Sequence, residues 1–300
     1  MLEITIPAST GNLGSGFDVF GLAVRLYLRV TVKRSDNTKR KVEFTGEGSD
    51  IISTSDNLIL TTIKRVLKSR GIKTPGFSMD IRNDIPIKRG LGSSGTARLA
   101  GVITANYLSN LGMSNREIMS AGIQLEGPPD NINSSFSGGL TASLVMENGI
   151  THYRRCAFPL DLRLIFAIPD IQISTHQARQ ILPKKYVLKD VIYNLQRVSL
   201  IFEAVRSRDY DLLAYLLKDR LHQDYRAALV PGLKDILHFQ PGDGLVGTFL
   251  SGSGPTVCGL AVDNFSHIGE KMVSAFAEHR VSARVLESKA DNRGTRIVER

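Results

Sequence analysis

The sequence predicts an α+β protein of two units, and three observations carry that prediction. Val24 to Val32 alternates apolar and polar side chains, the mark of a half-buried antiparallel strand. Gly90 to Thr96 is a glycine- and serine-rich loop that runs straight into a long apolar-rich helical stretch. Beyond Phe158-Pro159 the pattern restarts and reads β-α-β-β-α-β, the order of a ferredoxin-like split βαβ unit. A chain of 300 residues suits two domains, read as 1–158 and 159–300.

Each element has its own signal. Val24, Leu26, Leu28, Val30 and Val32 share one face of the alternating strand, with Arg25, Tyr27, Arg29 and Thr31 on the other. Leu60, Ile63 and Leu67 give helical spacing within 57–70. Phe77 to Ile81 reads as a strand, Thr96 to Leu111 as a helix, and Leu140 to Met146 as a strand opened by Gly138-Gly139. In the second half Leu162 to Ile168 is an apolar strand. Val191, Leu195, Val198, Phe202 and Val205 mark one face of a helical region, and Leu213, Leu216 and Leu217 continue it. Strands at Gly247–Leu250 and Val257–Val262 flank Ser251-Gly252-Ser253-Gly254-Pro255. Ile268 to Phe276 is a helix and Ala283 to Leu286 a last strand.

Composition narrows the classes. The hydrophobic share of 42% supports a real core, and 38 basic against 29 acidic residues give a net charge of +9. Such a balance attracts anions. The basic residues are scattered, at Lys33-Arg34, Lys39-Arg40-Lys41, Arg154-Arg155 and Lys184-Lys185. They do not interleave with aromatics, so no nucleic-acid-reading motif emerges. Two cysteines, Cys156 and Cys258, make neither a metal-ligand spacing nor a disulfide framework. No secretory leader pattern opens the chain and no run of about 18 apolar residues occurs. The expectation is a cytoplasmic protein with neither membrane nor nucleic acid as partner.

Five polar clusters carry candidate chemistry. The Gly90-Leu91-Gly92-Ser93-Ser94-Gly95-Thr96 loop allows close backbone approach, and a helix N-terminus there favours a phosphate. It lacks the Lys of a P-loop and the glycine spacing of a dinucleotide fingerprint. Pro7 to Asp18 follows the opening strand, and Asn12 and Asp18 offer an amide and a carboxylate to a polar substrate. Glu126-Gly127-Pro128-Pro129-Asp130-Asn131 brings a carboxylate that suits Mg2+ beside phosphate oxygens, with a loop serine as a second hard ligand. Thr175 and Arg179 stand one helical turn apart, and arginine can fork onto a carboxylate; the neighbouring His176 reads as exposed. Arg226, in Asp219 to Arg226, is a second candidate carboxylate ligand, and His222 reads as a surface or capping histidine. The Ser251–Pro255 turn is a further backbone-rich contact. Taken singly, each cluster also reads as ordinary capping, turn or surface chemistry.

Together, and in order, these motifs resemble the GHMP small-molecule kinases. That likeness rests on Pro7…Asn12-Leu13-Gly14-Ser15-Gly16-Phe17-Asp18, on Pro86-Ile87-Lys88-Arg89-Gly90-Leu91-Gly92-Ser93-Ser94, and on Ser251-Gly252-Ser253-Gly254-Pro255-Thr256. Glu126…Asp130-Asn131, Ile173-Ser174-Thr175…Ala178-Arg179 and His222…Tyr225-Arg226 are similar to the homoserine kinases within that superfamily.

The resemblance implies a ribosomal-S5-like N-terminal ATP-binding domain packed on a ferredoxin-like substrate domain. It implies transfer of the ATP γ-phosphate to the hydroxyl of L-homoserine, in threonine biosynthesis. By motif, Ser94 and Glu126 would hold Mg2+. Lys88, Arg89 and the loop Gly90, Leu91, Gly92, Ser93, Ser94, Gly95 and Thr96 would wrap the triphosphate, and Asn57 would sit near adenine. Asn12, Asp18, Asn131, Thr175, Arg179 and Arg226 would line the amino-acid site, with Ser94, Glu126 and Arg179 closest to catalysis. Two residues depart from the pattern: Pro128 stands where a His is common, and Gly11 where an Ala is usual. No general base is assigned, since phosphoryl transfer rests chiefly on positioning and charge stabilisation. A GHMP kinase for another hydroxy acid or amino alcohol, and a non-catalytic nucleotide or RNA binder on the same scaffold, stay open, as does a homodimer.

Overall fold

The first strand, β1 (Leu2–Gly11), pairs antiparallel with the long β2 (Phe20–Ser35), the strand expected from the 24–32 alternation. Val24, Leu28, Val30 and Val32 are buried as that pattern requires. A register shift opposite Pro7 and Ala8 leaves Arg25 and Leu26 without facing partners, so Leu26 is only half-buried. The computed structural model describes residues 1–35, 37–55 and 57–300.

The chain then forms β3 (Arg40–Gly46), α1 (Leu58–Lys68), β4 (Gly76–Asn83), α2 (Ser93–Ser109), α3 (Asn115–Glu126) and α4 (Pro129–Ser137), followed by β5 (Leu140–Val145) and β6 (Thr151–Cys156). The main path of the first sheet runs β3-β4-β2-β1, with β5 joining the Phe20 end of β2 and β6 pairing with β5. Helices α2 and α4 pack on β1 and β2. Leu99, Val102, Ile103 and Ile132 are buried there against Ile4, Ile6 and Leu22 in one apolar cluster.

The second half runs β7 (Arg163–Pro169), α5 (Thr175–Gln180), α6 (Leu188–Val198), α7 (Ile201–Ser207), α8 (Tyr210–Leu216), α9 (Gln223–Ala227) and α10 (Leu233–Leu237). It continues with β8 (Leu245–Leu250), β9 (Val257–Ala261), α11 (Phe265–Glu278) and β10 (Ala283–Ser288). Its sheet order is β10-β7-β9-β8, all antiparallel, which is the ferredoxin-like order expected from the sequence. The apolar run of β7 has a physical reason. Leu164, Phe166 and Ile168 enter the larger core, while Ile165 and Ala167 enter a smaller one with Met272 and Phe276, so both faces are covered.

Three strands gave no sequence signal. β3 and β6 alternate weakly, carry Arg and Lys, and are largely exposed. The last strand, β11 (Arg296–Glu299), leaves the second half and pairs with β1, so the tail belongs to the first sheet. The helical face expected through Val191, Leu195 and Val198 also differs. The helix breaks at Ser199-Leu200, Leu195 points to solvent, and the buried residue of α6 is Asn194. Asn194 turns inward because its amide serves Asp219, the Ser15 carbonyl and the Arg220 N–H. Among the described residues no helix is long and apolar enough to cross a membrane.

Candidate active site

Three loops meet between the two halves, and backbone contacts lock them together. The Ser9 N–H donates to the Leu91 carbonyl, the Gly252 N–H donates to the Gly11 carbonyl, and the Ser251 hydroxyl donates to the Gly90 carbonyl. Gly92 adopts φ +70, and a Cβ there would come within 2.1 Å of Ser9 Oγ. Glycine is required at that position on both counts. The meeting point is a cavity of about 680 Å3, within the usual range for small-molecule sites.

One end of the cavity is built on the start of α2. Gly92 occupies the N-cap position and, among the described residues, no side chain caps the helix, which leaves its first N–H groups at the cavity wall. Ser94 stands in the first turn, and its hydroxyl donates to Glu126 Oε1 from the end of α3. The other carboxylate oxygen, Oε2, accepts from Arg98 Nε at 3.1 Å. Thr96 turns its hydroxyl onto the Ser93 carbonyl. Lys88 is exposed at the rim. Arg89 also lines the cavity, but its guanidinium bonds Asp170 and the Ile171 carbonyl across to the second half. Asn57 lines a farther wall and caps α1, its Oδ1 accepting from the Ile59 and Leu60 N–H groups.

The opposite end is rich in charge. Arg179 Nη2 donates to both oxygens of Asp18 at 2.9 Å. Thr175 begins α5, one turn from Arg179 and directly after the Ser174 cap. Arg226 is 3% exposed. It donates to the Ala178 and Gly252 carbonyls and lies 5.0 Å from the Phe17 ring centre. Burial lowers its pKa to about 10, so it keeps its charge at neutral pH. Asn12 is wedged between loops, with Nδ2 donating to the Gly252 carbonyl and Oδ1 accepting from the Asp18 N–H. The Asn131 Oδ1 accepts from the Ser9 hydroxyl.

Of the residues to which the resemblance gives a binding or catalytic role, Gly95 alone does not line this cavity; it packs against Ile132 and Asn131 instead. His176 is exposed as expected. His222 is fully buried, with its Nε2 against the Gly14 carbonyl and its ring stacked on Phe17. Burial lowers its pKa and favours the neutral ring.

Three residues given no role from the sequence belong to the site. Arg98 braces Glu126. Phe17 stacks between His222 and the two arginines. Asp130 lines the cavity at 3% exposure, and its Oδ1 has no hydrogen-bond partner. Burial first, and the Asp18 carboxylate second, push its pKa up to about 7. A Cβ on Gly11 would lie 2.5 Å from Asp130 Oδ2, so glycine leaves room for this carboxyl. The motif Glu126…Asp130, four residues apart across a proline break, was the available signal.

The donor set fits Mg2+. Among the described residues no group of three or more His, Cys, Asp or Glu could cage a metal. Mg2+ needs no such cage. It takes one or two hard oxygens from protein and the rest from phosphate and water, and Ser94 Oγ beside Glu126 at a helix N-terminus supplies that pair.

Comparison with known proteins agrees with this architecture. The family of GHMP kinases N terminal domains matches residues 57–139, and that of GHMP kinases C terminal domains matches 201–279. Homoserine kinase of Aquifex aeolicus is 38% identical over 300 residues, covering 99% of both chains. Homoserine kinase of Schizosaccharomyces pombe is 35% identical, covering 95% of both. The crystal structure of homoserine kinase from Cytophaga hutchinsonii shares the fold at a TM-score of 0.84 and 24% identity, over 99% of this chain and 97% of that one. Leishmania major mevalonate kinase, solved with R-mevalonate, shares it at 0.71 and 16% identity, over 95% and 94%. Likeness along the whole chain at 35–38% identity to such relatives, with both GHMP kinase domain families matched in order, shows that this chain belongs to the homoserine kinases of the GHMP kinase superfamily.

Proposed function

We propose that the protein transfers the γ-phosphate of ATP to the hydroxyl of L-homoserine, with Ser94 and Glu126 holding Mg2+, as a step of threonine biosynthesis. The observation that carries this reading is the direct contact between Ser94 and Glu126 at the open start of α2, in one cavity with the Asp18–Arg179 pair. The metal, when bound, supplies charge neutralisation on the phosphate oxygens. The helix N–H groups of the Gly90–Thr96 loop bind phosphate, and Asn57 belongs to the adenine wall.

At the acceptor end the Asp18–Arg179 pair matches a zwitterion. Arg179 and Arg226 take the substrate carboxylate, Asp18 takes the ammonium, and Thr175, Asn12 and Asn131 complete the wall. Arg179 and Asp18 exchange each other for the two charges of the amino acid. No residue is assigned as a general base, because positioning and charge stabilisation carry most of phosphoryl transfer. ATP handling falls to residues 1–158 and much of the acceptor wall to 159–300, with Asn12, Asp18 and Asn131 crossing that division.

A coupled ADP-release assay over a panel of small hydroxy acids and amino alcohols tests the reading. Turnover of L-homoserine above the other alcohols supports it; no turnover of homoserine with another acceptor active refutes the substrate. Pro128, in the cavity wall where a His is common in the family pattern, is the reason to include other acceptors.

A further inference from the structure

Arg98 stands one helical turn after Ser94 on α2 and lines the same cavity. Its side chain is 21% exposed and that of Glu126 is 14% exposed, so the 3.1 Å pair is shielded from water. Only Nε is used. Among the described residues Nη1 and Nη2 make no hydrogen bond, which leaves donors of a planar fork unspent beside the open helix start. Arg89, the neighbouring guanidinium of the loop, is engaged by Asp170 and Ile171. A triphosphate needs more positive charge than a helix start provides, and Arg98 is a shielded cation beside that start with donors to spare.

We propose that Arg98 holds the place of a divalent cation on Glu126 in the free protein, and gives its guanidinium to the triphosphate once the nucleotide arrives, with or without its metal. This rests on the reading of the cavity as a Mg2+–ATP site. With Arg98 on Glu126 that carboxylate is already neutralised, so a free divalent cation is held weakly. Metal then enters with the nucleotide, which draws the guanidinium away from Glu126.

The test measures binding rather than turnover. Mn2+ binding to the nucleotide-free protein is followed by electron paramagnetic resonance, and ATP binding in EDTA by calorimetry. Arg98→Gln is expected to bind Mn2+ several-fold more tightly than wild type and to bind metal-free ATP roughly tenfold more weakly, the size of one lost charge-assisted contact. Arg98→Lys keeps a cation, so its Mn2+ binding stays weak, while the loss of the planar fork lowers its ATP affinity. A purely structural brace between α2 and α3 would not raise Mn2+ affinity on removal. Unchanged or weaker Mn2+ binding in Arg98→Gln, or unchanged ATP binding in EDTA, overturns the proposal. If Arg98→Gln does not fold, Arg98→Lys decides, and ATP affinity equal to wild type overturns it. Wild-type protein that binds no ATP even with Mg2+ overturns the functional reading underneath, and the proposal with it.

Discussion

Asp130→Asn isolates the cost of burying a carboxyl without its full set of donors. The side chain is 3% exposed, Oδ1 is unpartnered, and the pKa rises from 3.8 to about 7. The folded state therefore holds this proton more tightly than the unfolded chain does. Stability from the group is fully present below about pH 4 and is lost as pH rises through about 7. Three pH units at about 1.4 kcal/mol each give a loss on the order of 4 kcal/mol between pH 4 and neutral pH. Asparagine is neutral throughout, so the mutant lacks this slope. Its extra N–H donors cost about 1–3 kcal/mol at any pH if unpaired, which offsets the curve without tilting it. Urea unfolding of both proteins, without ligands, at intervals from pH 5 to pH 8 reads the difference directly; the carboxylates distant from this site cancel between the two. The wild type should lose ground against Asp130→Asn from pH 5 to about pH 7 and hold level above that. Two curves that stay parallel would show that Asp130 does not titrate near neutrality and would refute the burial argument.

Arg179→Lys replaces a planar fork by a point charge, so KM for homoserine should rise about tenfold with kcat little changed; an unchanged KM would mean the carboxylate site is elsewhere. Glu126→Gln should lower kcat on the order of tenfold or more and raise the Mg2+ concentration needed for half-maximal rate, since a carboxylate ligand is lost; steady-state assays over a Mg2+ series check both. Gly92→Ala forces a side chain into φ +70 against Ser9 Oγ at 2.1 Å, so it should cost about 1–3 kcal/mol of stability and weaken ATP binding. Thermal melts with and without ATP measure this, and wild-type behaviour in both would contradict the description of the loop.

Periodicity made the covered strands legible. β2 and β7 announced themselves because their side chains alternate into, or wholly enter, a core. β3, β6 and β11 stayed silent because they are exposed and carry charge, so no apolar pattern marks them. β11 also pairs with β1 at the far end of the chain, a contact no local window contains. α6 misled for a related reason. Its apolar stripe is real, yet the polar network of Asn194 and Asp219 claims the inward face. At the site, short-range motifs gave the loop, the cap residues and the pair at 94 and 126. Arg98 and Asp130 were missed because what distinguishes them is burial and the lack or choice of partner, and burial is a property of the folded chain.

A crystal structure with Mg2+, a non-hydrolysable ATP analogue and L-homoserine tests the central claim most directly. The metal should sit on Ser94 Oγ and the Glu126 carboxylate, the triphosphate against Gly90–Thr96, and the amino acid between Asp18, Arg179 and Arg226. A triphosphate bound away from that loop, or a metal touching neither Ser94 nor Glu126, would contradict it.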